Sequence, residues 1–245
     1  MNLPNALTIG RIAMTPAIAL LPLSGSWTLR LLAWVLFVVA GVSDYADGVL
    51  ARSRQQETDL GRLLDPAADK LLLVGTLVPM FLLVGSGTSL GIVSPNAQPL
   101  VDHVWGPTLR VGTASGAAFP FLTPFGPIGL PWWMLVVVLG REVFMTVFRQ
   151  AAARRGVVIS AIGPAKWKTA FQLVWQGSAY FWFWIATLAA ERRWDAPAWH
   201  AFAYFNGIVG TVMMTAAVAL TLYSLWLYLR RYGDVFRGER VGARR

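Results

Sequence analysis

The chain has 245 residues, 56% of them hydrophobic and 13% charged, with a mean hydropathy of +0.54, which is too apolar for a water-soluble domain and marks an all-α polytopic membrane protein. The absence of cysteine excludes disulfide staples, thiolate metal sites and cysteine nucleophiles. A formal charge of +9 asks for anionic partners, but the basic residues sit at helix ends rather than in an exposed basic domain, so membrane lipids and phosphorylated substrates are expected and nucleic acid is not.

In chain order, apolar length and periodicity predict six transmembrane helices at roughly 7 to 23, 29 to 51, 65 to 85, 131 to 150, 165 to 188 and 200 to 229, each near the ~20 residues that cross a hydrocarbon core. The first run lacks the layout of a cleaved signal peptide and is expected to be retained. Ser86 to Leu130, rich in Gly, Pro, Ser and Thr, is expected to be an extramembrane loop. Arg230 to Arg245 is expected to be a basic cytoplasmic tail against anionic lipid. No repeat divides the chain, so residues 1–245 are read as a single membrane domain. With the N-terminus in the cytoplasm, all but four of the 21 basic residues fall on that side, the exceptions being Arg30, Arg110, Arg192 and Arg193. The positive-inside rule then places both termini in the cytoplasm.

Two weaker signals are set aside. Gly87, Ser89 and Gly91 spell G-x-S-x-G, but a nucleophile elbow needs a strand leading into a helix, and this match lies in the loop. Trp132, Trp133, Trp194 and Trp199 sit near predicted helix ends, where aromatic belts form, and need no cofactor to explain them.

One polar stretch interrupts the apolar runs: DYADGVLARSRQQETDLGRLLDPAAD, from Asp44 to Asp69. Asp44 and Asp47 are spaced i, i+3 and Asp65 and Asp69 i, i+4, so each pair shares a helical face, and a hinge over 52–60 lets the two faces meet at the cytoplasmic edge. Four converging carboxylates repel and are costly to desolvate, so a positive group is expected among them. Mg²⁺ or Mn²⁺, as one ion or two, suits carboxylate oxygens and leaves positions for water and substrate phosphate. Gly48 and Gly61 lack side chains beside the acids, so a bulky ligand or the facing backbone can approach. Arg52, two turns after Asp44, either clamps a phosphate or neutralises an aspartate.

Asp44, Asp47, Gly48, Ala51, Arg52, Gly61, Asp65 and Asp69 reproduce the pattern D-x-x-D-G-x-x-A-R, eight residues, then G-x-x-x-D-x-x-x-D, and in this the chain resembles the CDP-alcohol phosphatidyltransferase family. The resemblance implies a six-helix bundle, commonly a homodimer, that transfers a phosphatidyl group from CDP-diacylglycerol to an alcohol with CMP leaving. It makes Asp44, Asp47 and Asp65 ligands of Mg²⁺ or Mn²⁺, two ions in all, and Asp69 the base that takes the acceptor's proton, with a share in the metal site. Gly48, Ala51, Arg52 and Gly61 become the cradle of the cytidine diphosphate.

The stretches NLPNALTIGR, DPAADK, GREVFMTVFR and AKWKTAFQ resemble the bacterial branch that uses glycerol 3-phosphate, which implies the cytoplasmic (inner) membrane. Arg141, Arg149, Lys166 and Lys168 would then gather at the cytoplasmic ends of the fourth and fifth helices and hold the acceptor phosphate, although the positive-inside rule alone also puts basic residues there. Ala165 stands where that branch commonly has glycine. Sibling acceptors are inositol phosphate, phosphatidylglycerol and serine. Outside the class, an ion-coupled transporter would also carry intramembrane carboxylates, but nearer the bilayer midplane and often with a repeat.

Overall fold

The computed structural model describes the backbone over residues 3–54, 59–84, 119–157, 159 and 163–233, and the side chains over the same residues apart from 3, 4, 45–54, 59, 60, 62, 63, 127 and 164–166. Among the described residues six α-helices follow one another: α1 (Leu3–Leu20), α2 (Trp27–Arg54), α3 (Asp59–Val84), α4 (Trp132–Arg154), α5 (Gly163–Glu191) and α6 (Pro197–Tyr232). Each overlaps one of the six predicted spans. A 3-10 turn, Leu21–Leu23, follows α1, and a small antiparallel hairpin of β1 (Phe121–Thr123) and β2 (Gly126–Ile128) precedes α4.

Among the described residues, four helices are long and apolar enough to cross a membrane, over Asn5–Leu23, Trp27–Asp44, Leu64–Val84 and Pro197–Tyr232. The other two, α4 and α5, have 23 and 29 residues. At 1.5 Å per residue both are long enough for a ~30 Å core. They are less apolar because α4 carries Arg141, Glu142 and Arg149, and α5 carries Lys166, Lys168, Gln172 and Gln176.

Both α4 and α5 end in a left-handed residue that redirects the last turn's amides. After α4, Gly156 at φ +74° lets its own amide donate to Ala153 at 3.0 Å and that of Val157 to Ala152 at 2.9 Å. After α5, Arg193 at φ 52° does the same, and the Trp194 amide donates to Ala189 at 2.9 Å. Only the first of these stops carries the expected glycine.

The helices close into a ring. α1 packs on α2 and α3, α2 on α5, α5 on α6, α6 on α4, and α4 back on α3. Lipid tails are as apolar as leucine, so helices in a membrane associate chiefly through close packing and interhelical hydrogen bonds. The core shows this packing: Phe37 of α2 stacks on Tyr180 of α5 at 5.4 Å, and the Tyr180 hydroxyl donates to the Ile18 carbonyl of α1 at 3.2 Å. Trp199, expected in an interfacial belt, instead stacks on Trp182 inside the bundle at 5.7 Å and 11° and is only 6% exposed. Trp132 and Trp133 are exposed, as a belt requires. A smaller core of Met145, Phe148, Ala152 and Tyr228 joins α4 to α6 near their C-terminal ends.

The long-loop expectation changes at its end. Residues 85–118 lie outside the described residues, but 119–130 fold into the buried hairpin, with Phe119, Phe121, Leu122 and Leu130 all at most 2% exposed. Non-helical backbone tolerates such burial only where its polar groups are paired. Here the Phe119 amide donates to Leu83 at 2.8 Å and the Leu130 amide to Val84 at 3.4 Å, and β1 and β2 pair in the register Phe121↔Ile128, Leu122↔Pro127 and Thr123↔Gly126. The seat on α6 is made by Gly207 and Gly210: a Cβ on Gly207 would lie 1.8 Å from the Leu122 carbonyl oxygen, and one on Gly210 2.3 Å from the Phe121 ring.

Arg30 ties this region together from α2. It is 1% exposed, donates to the Pro22 carbonyl at 3.0 Å and to the Thr187 hydroxyl of α5, and lies 4.6 Å from the centre of the Phe119 ring. The sequence reading put Arg30 at the non-cytoplasmic end of the second span as an orientation signal; the structure buries its side chain within the bundle. Arg230 and Arg231, the start of the predicted basic tail, are exposed in the last turn of α6, while residues 234–245 lie outside the described residues.

Candidate active site

The acidic motif lies where α2 ends and α3 begins. Asp44 sits in the C-terminal half of α2, with Asp47, Gly48, Ala51 and Arg52 on the same helix; the side chains of these last four lie outside the described residues. Gly61, Asp65 and Asp69 lie in the first turns of α3, Gly61 buried and the two aspartates exposed. The sequence reading let the two acidic faces meet, and in the structure Asp44 and Asp69 meet at α1, which packs on both helices.

One nitrogen of Arg11, Nη1, donates to the Asp44 carboxylate and, at 3.0 Å, to that of Asp69. One turn earlier, the Thr8 hydroxyl donates to Asp65 Oδ1 at 2.8 Å. Arg11 is 1% exposed, against 45% for Asp44 and 61% for Asp69, so its guanidinium is desolvated while its partners keep one side in water. The positive group expected among the aspartates is thus supplied in part by the chain itself.

Among the described residues, no group of three or more potential metal ligands is close enough to hold an ion. The donor chemistry nevertheless fits a hard divalent cation: Asp44, Asp65 and Asp69 offer only carboxylate oxygens, and two of them already share a cation.

The second cluster lies on α4 and α5. Glu142 Oε1 accepts from Arg141 Nη1 at 2.9 Å and from the Lys168 ammonium. Arg141 and Lys168 are 8% and 5% exposed, far deeper than an orientation signal needs to be. Behind them, α6 supports the arginines: the Ser224 hydroxyl accepts from Arg141 Nη2 at 3.3 Å, and the Tyr228 ring lies 6.0 Å from both the Arg141 and Arg149 guanidinium carbons. Arg149 itself is exposed, and the Lys166 side chain lies outside the described residues. Two buried cations around one carboxylate leave a net positive charge.

A cavity of about 170 Å³ joins the clusters. Arg11, Asp44, Asp69 and Lys70 line one side and Glu142, Lys168, Gln172 and Gln176 the other. An anion bound near Lys168 would therefore share a chamber with the Asp69 carboxylate.

Sequence reasoning missed Thr8, Arg11, Glu142, Ser224 and Tyr228. Arg11 carried a readable signal, since a cation midway along an apolar helix is costly unless paired. Glu142 carried a weaker one, as an acid beside a buried arginine. Ser224 and Tyr228 carried none, because a serine or a tyrosine is ordinary in a membrane helix.

The comparisons with known proteins agree with the motif. A probable phosphatidylglycerophosphate synthase of Mycobacterium tuberculosis is 31% identical over 169 residues, 68% of this chain and 57% of the relative. A cardiolipin synthase (CMP-forming) of Oryza sativa subsp. japonica is 28% identical over 239 residues, 94% of this chain and 57% of the relative. A CDP-diacylglycerol–glycerol-3-phosphate 3-phosphatidyltransferase of Rickettsia bellii is 48% identical over 81 residues, 33% of this chain and 44% of the relative. The chain thus spans about half the length of these relatives. A family model described as CDP-alcohol phosphatidyltransferase matches residues 1–94 and 99–223, and with nearly the whole bundle inside that match the chain belongs to the CDP-alcohol phosphatidyltransferase family.

Proposed function

We propose that the protein transfers the phosphatidyl group of CDP-diacylglycerol to glycerol 3-phosphate, releasing CMP, at the cytoplasmic edge of a six-span bundle in a bacterial inner membrane, as a homodimer. The observation that carries the reading is the cavity shared by Asp44 and Asp69 on one side and by Lys168 and Glu142 on the other. It lets a phosphorylated alcohol present its hydroxyl to a carboxylate while cations hold its phosphate. The names of the Mycobacterium and Rickettsia relatives support the same acceptor.

In this reading Asp44, Asp47 and Asp65, with a share from Asp69, hold Mg²⁺ or Mn²⁺, two ions in all. A bound cation supplies positive charge to the diphosphate and to the departing phosphate of CMP. Gly48, Ala51, Arg52 and Gly61 cradle the cytidine diphosphate. Asp69 takes the proton from the acceptor hydroxyl as that oxygen bonds to the phosphatidyl phosphorus, and the bond from that phosphorus to the CMP oxygen breaks. Lys168, Arg141, Arg149 and Lys166 hold the acceptor's own phosphate, with Glu142 keeping the two buried cations in place.

A second reading, transfer to phosphatidylglycerol, is favoured by the rice relative, whose match runs along most of the chain. One assay separates the two. Purified protein is given CDP-diacylglycerol, Mg²⁺ or Mn²⁺ and equimolar glycerol 3-phosphate, phosphatidylglycerol, inositol phosphate or serine, and CMP release is measured. Glycerol 3-phosphate is expected to be fastest. A faster rate with phosphatidylglycerol replaces the acceptor, and no release with any alcohol overturns the transferase reading.

A further inference from the structure

We infer that α1 carries the site's own counter-charge: Arg11 is a positioning residue that holds Asp44 of α2 and Asp69 of α3 together whenever no divalent cation lies between them. What replaces the arginine's charge during turnover rests on the divalent-cation reading above; the hold itself rests on contacts described here. One guanidinium nitrogen serves both carboxylates, and they come from two different helices. The Thr8 hydroxyl, one turn away on the same face of α1, fixes Asp65 Oδ1 at 2.8 Å. Three of the four motif aspartates are thus gripped by a helix that contributes nothing to the motif.

The arrangement has an energetic logic. Two carboxylates drawn to one point repel, and the water on their exposed sides screens that repulsion only in part. A desolvated guanidinium between them offsets it, and the arginine in turn avoids the penalty of an unpaired buried charge. Arg11 also lines the cavity beside both aspartates. A divalent cation arriving from that side competes with Arg11 for the same oxygens, which makes cation affinity a difference between two holds.

The test is the thermal midpoint of the full-length protein in detergent, in chelator and in Mn²⁺, for wild type, Arg11→Gln, Asp44→Asn and the double variant. Arg11→Gln is expected to lower the midpoint in chelator by roughly 5 °C, with the loss moderated by the exposure of the carboxylates. Mn²⁺ should return most of that loss, giving a larger Mn²⁺-induced rise than in wild type. Adding Asp44→Asn to Arg11→Gln should restore the midpoint even in chelator, because one of the repelling charges is gone. A structural role for Arg11 in packing alone predicts the same loss with and without Mn²⁺ and no recovery in the double variant, and that result overturns the inference. If Arg11→Gln yields no folded protein, folding of the double variant supports the inference and its failure overturns it. A wild type whose CMP release ignores chelator would sink the cation reading separately, and the double-variant comparison, which needs no cation, would still decide the role of Arg11.

Discussion

Replacing Lys168 by methionine keeps the length and bulk of the side chain and removes its charge from the cavity wall. Lys168 is 5% exposed and bonded to Glu142, and Glu142 retains Arg141 at 2.9 Å, so the substitution does not strand a buried carboxylate. Its main effect should therefore fall on binding rather than folding. A charge-assisted contact to a phosphate is worth about 1.5 to 3 kcal/mol. At 1.4 kcal/mol per factor of ten, that is a rise of roughly 10- to 150-fold in the KM for glycerol 3-phosphate. The lower end is expected, because Glu142 already draws on the ammonium. Initial rates of CMP release in mixed micelles, varying each substrate at saturation of the other, measure the effect. The KM for CDP-diacylglycerol should stay put, and plain glycerol, expected to be a poor acceptor for the wild type, should lose much of its disadvantage in the variant. Arg141→Ala should move the acceptor KM in the same direction through the other side of Glu142. Equal losses on both substrates, or an undiminished preference for the phosphorylated acceptor, would refute the assignment of this cluster to the acceptor phosphate.

Chelation after extensive dialysis should abolish CMP release and Mg²⁺ or Mn²⁺ should restore it, whereas full activity in chelator would contradict the role given to the aspartates. Asp69→Asn should slow turnover by about two orders of magnitude or more while CDP-diacylglycerol still binds, since a general base contributes in that range; near-normal turnover would move the base elsewhere. Gly207→Ala puts a methyl group where the Leu122 carbonyl oxygen lies 1.8 Å away, and should lower the thermal midpoint by several degrees, as overpacking of about 1 to 3 kcal/mol requires. Gly140→Ala, with nothing within 4 Å of the added carbon, serves as its control and should cause no loss.

Local and covalent patterns were legible in the sequence. Apolar run lengths located the six described helices, and the spacing of Asp44, Asp47, Asp65 and Asp69 placed the candidate site on what the structure shows as α2 and α3, because helical periodicity is a property of neighbours along the chain. What escaped depends on which helices are neighbours in space. The spacing and the hinge over 52–60 let the acidic faces of α2 and α3 meet, and Asp44 and Asp69 do so, but nothing local to the motif announces that Arg11 of α1 is their meeting point. Arg11 and Arg30 were read as orientation markers because a basic residue looks the same whether it faces headgroups or partners inside the bundle. The β1–β2 hairpin was hidden for a related reason. Its strands are three residues each, too short for a periodic signal, and its seat is made by two glycines on α6 more than seventy residues downstream.

The pairing of Phe119 with Leu83 and of Leu130 with Val84 means that the chain departs from the end of α3 and rejoins the bundle at the same spot. Seen from the helices, that stem is a closed seam, held from both sides whatever is sewn into it. For a flexible segment closed at such a seam, each doubling of length costs only about 0.6 kcal/mol of closure entropy. Residues 85–118 therefore mark a graft position. A short flexible bridge there would trim the protein, and a rigid folded module would enlarge a 26.8 kDa particle for imaging, each joined at the two anchored ends of the seam.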